Sequence, residues 1–102
     1  MSQLPQPYVD FQEQYPDIWQ AYARLGAAVH AAGPLDEKTR GLIKLALALG
    51  AGREGAVHAH VRKLVEMGSS AEEIRQVALL AATTLGFPAT MVGLTWVNDV
   101  LE

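Results

Sequence analysis

The sequence contains no cysteine among its 102 residues, so several kinds of chemistry are excluded at once. The chain can form no disulfide, no thiolate metal site and no dithiol redox pair, and it has no cysteine nucleophile. Basic residues are also few, since eight lysines and arginines stand against eleven aspartates and glutamates, for a formal net charge of −3. A chain of this charge is poorly suited to the phosphate backbone, and we expect no nucleic-acid partner.

Long hydrophobic runs are absent as well. No apolar stretch reaches the roughly 20 residues that a membrane span requires. The N-terminal stretch MSQLPQPYVD lacks the charged and apolar regions of a secretory leader. We therefore expect a cytoplasmic protein with no membrane partner. Hydrophobic residues still make up 50% of the chain, a composition that argues against disorder and for one folded domain.

Glycine and proline divide the chain into short segments with apolar residues at helical spacing. We predict helices over 16–32, 37–50, 54–67 and 71–85 and from Pro88 onward, while 8–15 is either a short helix or an arm. Asp36 and Ser70 are expected N-caps, the second within an S-A-E-E capping box. No stretch shows sustained alternation of β-branched residues, so no strand is predicted. The predicted fold class is an all-α bundle of five or six short helices.

The predicted helices over 37–50 and 71–85 are apolar around most of their circumference. A chain of this length has too few other helices to cover both, and apolar surface of this kind usually ends in a subunit contact. We therefore expect a homo-oligomer. We also expect four aromatic residues at helical spacings to pack in the core: Trp19, Tyr22, Phe87 and Trp96.

The most polar cluster is GREGAVHAH, residues 52–60, at the start of a predicted helix. At about 100° per residue, His58 and His60 point about 200° apart, so they cannot chelate one metal ion from this helix. His58 stacks one turn above Glu54 as an i, i+4 pair. Because histidine titrates near neutral pH, either histidine is a candidate general acid or base, with Glu54 as its partner and Arg53 as the anchor for a substrate carboxylate.

The same residues also have an ordinary structural interpretation, which the residue pattern alone favours. His58 and Glu54 are a common type of helix pair, and His60 can be a half-buried packing residue. A metal site assembled across a symmetry axis from His58 or His60 of several subunits is a further alternative, although we expect no metal and no cofactor. The sequence contains no P-loop, dinucleotide fingerprint, metal-ligand array or nucleophile elbow.

Four features occur together in the sequence: the apolar helix after LDEKTR, His60 followed by a basic-apolar helix, the MGSSAEEI turn and helix start, and the GFPA break. In this combination, residues 35 to 100 resemble the carboxymuconolactone decarboxylase family, which includes the AhpD-type alkylhydroperoxidases. The resemblance implies an AhpD-like helical bundle that assembles as a trimer or hexamer. It also implies an N-terminal helical arm, 1–34, and a family core, 35–102, within one domain overall.

What the resemblance implies about activity depends on which of the family's site residues this chain keeps. In the AhpD branch, the site contains a CxxC pair, a histidine and a glutamate. The matching positions here are Arg53, Ala56, His60 and Gly41, so only the histidine is present and we expect no CxxC-dependent peroxidase activity. The decarboxylase branch lacks the cysteines and often shows a G-R-x-x-E-L-x-x-H type of segment, with which Gly52, Arg53 and His60 are compatible.

Two functions remain open on these grounds. The first is a cofactor-free lyase or isomerase that acts on a small carboxylated substrate, with His60 or His58 transferring a proton beside Glu54 and Arg53 binding the carboxylate. The second is a non-catalytic oligomeric scaffold or binding protein, derived from the AhpD-type peroxidases by loss of the CxxC dithiol. A catalytic His60 should face a solvent-reachable pocket near Glu54 or Arg53, whereas a structural one should be sealed in packing.

Overall fold

The structure is a computed structural model that describes residues 4–102. Within this range the chain is helical and contains no strand, as predicted. The helices are α1 (Gln6–Gln14), α2 (Pro16–His30), α3 (Glu37–Gly50), α4 (Glu54–Glu66), α5 (Ala71–Leu79), a 3-10 helix (Leu80–Thr83) and α6 (Phe87–Leu101). They form two compact units, of which the first ends at Leu35 and the second comprises Asp36–Glu102. No helix in the described range has both the length and the apolar character needed to cross a bilayer.

Local capping explains where the helices of the second unit begin and end. The carboxylate of Asp36 accepts a hydrogen bond of 2.8 Å from Thr39 N at the start of α3, which confirms the predicted N-cap. The predicted capping box of α5 is also present, since Ser70 Oγ accepts from Glu73 N at 3.1 Å and the Glu73 carboxylate accepts from Ser70 N at 2.9 Å. After α4, Gly68 has a φ of +87°, a left-handed conformation that ends the helix and favours glycine.

The helix predicted over 71–85 is shorter than expected. α5 ends at Leu79, and a 3-10 helix follows before Gly86, whose φ is +106°. The carbonyl oxygen of Ala81 accepts hydrogen bonds from both Leu85 N at 2.7 Å and Gly86 N at 2.9 Å, so the backbone turns where a regular helix would continue. The prediction was wrong here because apolar spacing does not distinguish an α-helix from a short 3-10 continuation.

The core of the second unit lies between α3, α4, α5 and α6. Its largest fully buried side chains come from all four helices: Leu45, Val57, Val61, Leu64, Ile74 and Val97. Two glycines allow close approach between helices. A Cβ added at Gly41 would lie 2.8 Å from Leu64 Cδ2, and one added at Gly93 would lie 2.9 Å from Leu49 Cδ2. The close packing of α3 therefore depends on two positions without a side chain.

Much apolar surface remains exposed, and three of the four aromatic predictions were wrong, since Trp19 contacts Tyr22 within the first unit and is not part of the core. Tyr22 is 63% exposed and Phe87 is 68% exposed. Tyr22 lies in the first unit, where two helices are too few to enclose a side chain and neither contains a buried residue. Phe87 is the first residue of α6, at the edge of the core, whereas Trp96 packs against the core as expected. Large apolar residues of the second unit are also exposed, among them Ile43, Leu47, Leu79, Leu80, Leu85 and Met91.

Two valines one turn apart on α4 provide a matched test of the core. Val61 is fully buried, and Val65 is 48% exposed. We expect Val61→Ala to lower the free energy of unfolding by about 2 kcal/mol, because it removes two buried methyl groups and leaves a cavity. Val65→Ala should lower it by less than about 1 kcal/mol. Urea denaturation followed by circular dichroism measures both losses, and equal losses would contradict this placement of the core.

Glu73 makes the start of α5 sensitive to acid. Its carboxylate pairs with Lys38 Nζ and accepts from Ser70 N, and these hydrogen bonds lower the pKa of Glu73 from 4.5 to about 2. A carboxyl group whose pKa is lower in the folded than in the unfolded chain stabilises the fold above the unfolded value. This contribution is fully present above pH 4.5 and is lost as the pH falls toward about 2.

Glu73→Gln keeps an oxygen that can cap the helix but removes the charge. We expect it to lower the melting temperature at neutral pH, and the difference from the native chain should shrink between pH 4.5 and about 2. Thermal unfolding at a series of pH values measures this difference. A gap that stays constant through the acid range would show that the charge of Glu73 does not stabilise the fold.

Candidate functional site

The four predicted site residues lie at the start of α4 and along its first two turns. Arg53 is the N-cap residue of α4, is exposed, and makes no capping hydrogen bond with its side chain. Glu54, His58 and His60 follow on the helix. The face of α4 that enters the core is formed by Val57, Val61 and Leu64. Because successive residues step by about 100° around a helix, His58 and His60 flank this buried face on opposite sides.

His58 lies beside two carboxylates. Its Nε2 is 3.0 Å from Asp99 Oδ2 and 3.9 Å from Glu54 Oε2, and its side chain is 24% exposed. The pairing with Glu54 is the i, i+4 contact expected from the sequence. Asp99 lies on α6, 41 positions further along the chain, and sequence reasoning did not identify it. No spacing pattern within α4 could have revealed a residue supplied by another helix.

His60 is half-buried on the other flank of α4, and the charges that act on it are cations. Burial lowers the pKa of His60 below its usual 6.5, and the ammonium groups of Lys63 and Lys44 lower it further. Lys63 is on the same helix, and Lys44 comes from α3. Burial also lowers the pKa of Lys44, followed by the effects of Lys63 and Arg40. A neutral imidazole beside ammonium groups can accept a proton from a ligand that carries negative charge.

The predicted site residues therefore have separate surroundings. Glu54 and His58 lie together with Asp99, while His60 is influenced by two lysines that the sequence analysis did not single out. The signal for one of them was available, since a residue three positions after His60 shares its side of the helix. Arg53 precedes His60 by seven residues, or about 10 Å along the helix axis at 1.5 Å per residue.

His58 and His60 line neither of two cavities that lie in the second unit. One of about 460 Å³ lies between α3, α5 and the 3-10 helix, and its apolar wall is interrupted by Glu73, Gln76 and Thr84. Another of about 370 Å³ is bounded by the Gly50–Gly52 turn, which immediately precedes Arg53, and by Trp96 of α6. Arg53, Glu54, His58 and His60 line neither of these two cavities, so neither cavity is the pocket expected beside a catalytic His60.

Gly41 occupies the position that the resemblance matches to a glutamate of the AhpD branch. It is buried on α3, where an added Cβ would lie 2.8 Å from Leu64 Cδ2 and 3.0 Å from Met67 Cε. A glutamate side chain at this position would require both neighbouring side chains to move. The space of the family's acidic residue is therefore occupied by core packing in this chain.

Comparisons with known proteins agree with these structural features. Residues 16–99 match the sequence model of the Carboxymuconolactone decarboxylase family. An uncharacterized protein of Methanocaldococcus jannaschii is 37% identical over 73 residues, which are 72% of this chain and 68% of that protein. An uncharacterized protein of Haemophilus influenzae is 39% identical over 62 residues, which are 61% of this chain and 55% of that protein.

A solved structure has a similar fold. It is the crystal structure of the apo form of a carboxymuconolactone decarboxylase family protein from Legionella pneumophila, with a TM-score of 0.75 and 24% sequence identity over 94% of this chain and 88% of that one. At this identity, the likeness shows the fold alone. The family match, however, spans most of the chain and confirms the resemblance found in the sequence. The chain belongs to the carboxymuconolactone decarboxylase family.

Proposed function

We propose that this protein is a cofactor-free lyase or isomerase that acts on a small carboxylated substrate, with His60 as the group that transfers the proton. The observation that carries the proposal is the half-buried position of His60 beside Lys63 and Lys44, which keeps the imidazole neutral and surrounds it with positive charge. Family membership supports a reaction of this class.

Lys63 and Lys44 are suited to bind the substrate carboxylate. Lys44 is half-buried, and a charge in such a position attracts an anion more strongly than it would in bulk water, because the effective dielectric constant is lower. Binding of the carboxylate also offsets the repulsion that lowers the pKa of Lys44. We assign the anchoring role to these lysines rather than to Arg53, since Arg53 lies about two helical turns away from His60.

The proton transfer follows from the neutral state of His60. In an isomerisation, the imidazole takes a proton from a carbon near the carboxylate, the electron pair of the C–H bond stays on the substrate, and the imidazolium returns the proton to a different carbon. In a decarboxylation, the bond between carbon and carboxylate breaks, CO2 leaves, and an imidazolium that has taken a proton from solvent protonates the carbon. The lysine charges stabilise the negative charge that develops in either case.

The activity test uses carboxymuconolactone and a panel of small unsaturated carboxylates. Release of CO2 and exchange of substrate protons in D2O distinguish the two reaction types. We expect His60→Gln to lower turnover at least about 100-fold, the lower limit for loss of a general acid–base group. His30→Gln, a histidine on α2, is the matched control and should retain full turnover. A loss confined to His58→Gln would instead assign the proton transfer to the pair of His58 and Glu54.

A pH measurement separates a catalytic from a merely structural His60. We expect Lys63→Met to raise the pKa of His60 toward its usual 6.5, because removal of a nearby cation favours the imidazolium. The acid limb of the activity profile should move to higher pH by the same amount. NMR titration of the imidazole measures the pKa, with Lys38→Met as the lysine control. An unchanged pKa, or turnover unaffected by His60→Gln with every substrate, would contradict the proposed base.

A second candidate function is a non-catalytic scaffold, and a different observation favours it. The apolar cavity between α3 and α5 contains none of the candidate site residues, and large apolar side chains such as Ile43, Leu80 and Leu85 are exposed around it. Surfaces of this kind usually become subunit contacts. We propose that the chain forms a homo-oligomer, a trimer or hexamer, under either candidate function.

Light scattering on the purified chain tests the proposed assembly. We expect a mass of three or six times the 11.0 kDa of one chain. Leu47→Glu should shift the population toward smaller species, because it places a charge on the exposed apolar surface of α3. Glu37→Gln, a change at the start of the same helix, is the control and should leave the mass unchanged. A monomer at every concentration of the native chain would contradict the assembly.

A further inference from the structure

Glu54, His58 and Asp99 bring three metal-ligating groups together where α4 and α6 pack. One ligand atom from each, the imidazole nitrogen and two carboxylate oxygens, lies within 4.8 Å of the other two. Both carboxylates are carried by helices, since Glu54 is in the first turn of α4 and Asp99 is near the end of α6. Donors carried by packed helices need little reorganisation to bind an ion.

The separations between these atoms suit a small divalent ion. Four-coordinate Zn²⁺ with bonds of about 2.0–2.2 Å holds its ligand atoms about 3.3–3.5 Å apart. The observed distances from His58 Nε2 are 3.0 Å to Asp99 and 3.9 Å to Glu54, so they lie on either side of this value. Both carboxylates are exposed and can rotate about their side-chain bonds to adjust this spacing.

Charge gives an independent reason for a cation at this place. Glu54 and Asp99 both approach the same nitrogen of His58, so two negative groups share one imidazole. A cation held between the three groups would offset the repulsion between the two carboxylates.

We propose that Glu54, His58 and Asp99 bind a divalent transition-metal ion of the zinc class. His58 Nε2 and one oxygen of each carboxylate would be the protein ligands, and water would take the remaining position. An imidazole with two carboxylates favours Zn²⁺ or Co²⁺ over Mg²⁺, which prefers oxygen ligands and keeps several waters. The bound ion would connect the start of α4 to the end of α6. The site is on the opposite flank of α4 from His60 and does not depend on the proposed catalytic role.

The test uses the full chain, treated with a chelator and then titrated with Co²⁺ or Zn²⁺ alone. We expect one ion per chain, a visible Co²⁺ spectrum of the intensity typical of four- or five-coordinate sites, and a higher melting temperature with Zn²⁺. The melting temperature rises because the ion binds the folded chain, in which α4 and α6 are together, and not the unfolded one.

Three isosteric variants, Glu54→Gln, His58→Gln and Asp99→Asn, assign the ligands. Each should weaken Zn²⁺ binding at least about tenfold, the loss that even an outer-shell change around a metal produces. Asp17→Asn and His30→Gln change the same residue types on α2 and should leave the affinity unchanged. Circular dichroism checks that all variants remain helical.

Two results would overturn the site. Binding that Asp99→Asn leaves unchanged would show that the ion does not connect α4 and α6. Failure to bind Co²⁺ or Zn²⁺ at millimolar concentration would show that the three side chains do not form a metal site.

Discussion

Val57, Val61 and Leu64 hold one face of α4 in the core, and the surroundings of every candidate residue depend on that contact. The face is completed from α3, where Gly41 lets Leu64 approach to a distance that any side chain would prevent. Once this face is buried, the angular step of the helix determines where the other side chains lie. His58 is turned toward α6, and His60 lies on the flank where Lys44 of α3 contributes its charge.

Two histidines separated by a single residue consequently have opposite electrostatic environments. Two carboxylates lie beside His58, whereas burial and two ammonium groups favour a neutral His60. Burial contributes most to the lowered pKa of His60, because it disfavours the charged imidazolium. The carboxylates near His58 and the lysines near His60 thus lie on opposite flanks of α4, and a ligand of one cluster does not need the other.

The site residues that the resemblance assigns to the AhpD branch are mostly replaced in this chain. The cysteine positions are held by Arg53 and Ala56, and the glutamate position is the tightly packed Gly41. Restoring the glutamate alone would place a carboxylate against Leu64 and Met67, which is unfavourable without further changes. The chain keeps the helical fold of the family, and both of its compact units expose extensive apolar surface.

Features that depend only on residues close together in the sequence could be predicted from the sequence. Asp36 and the Ser70–Glu73 pair cap their helices as predicted, Glu54 and His58 pair at i, i+4, and the family resemblance is confirmed. The caps and the i, i+4 pair depend on contacts within one or two helical turns, which residue spacing encodes directly.

Contacts between residues of different helices could not be predicted from the sequence and are seen only in the tertiary structure. Asp99 reaches His58 from α6, Lys44 acts on His60 from α3, and the chain turns at Ala81 instead of extending α5. Tyr22 stays exposed because its unit has only two helices to cover it. Helical periodicity specifies which face of each helix is apolar, but it contains no information on which other helix meets that face, or at what angle and offset. The angle and offset at which two helices pack determine which residues contact a charged side chain at the edge of an apolar face.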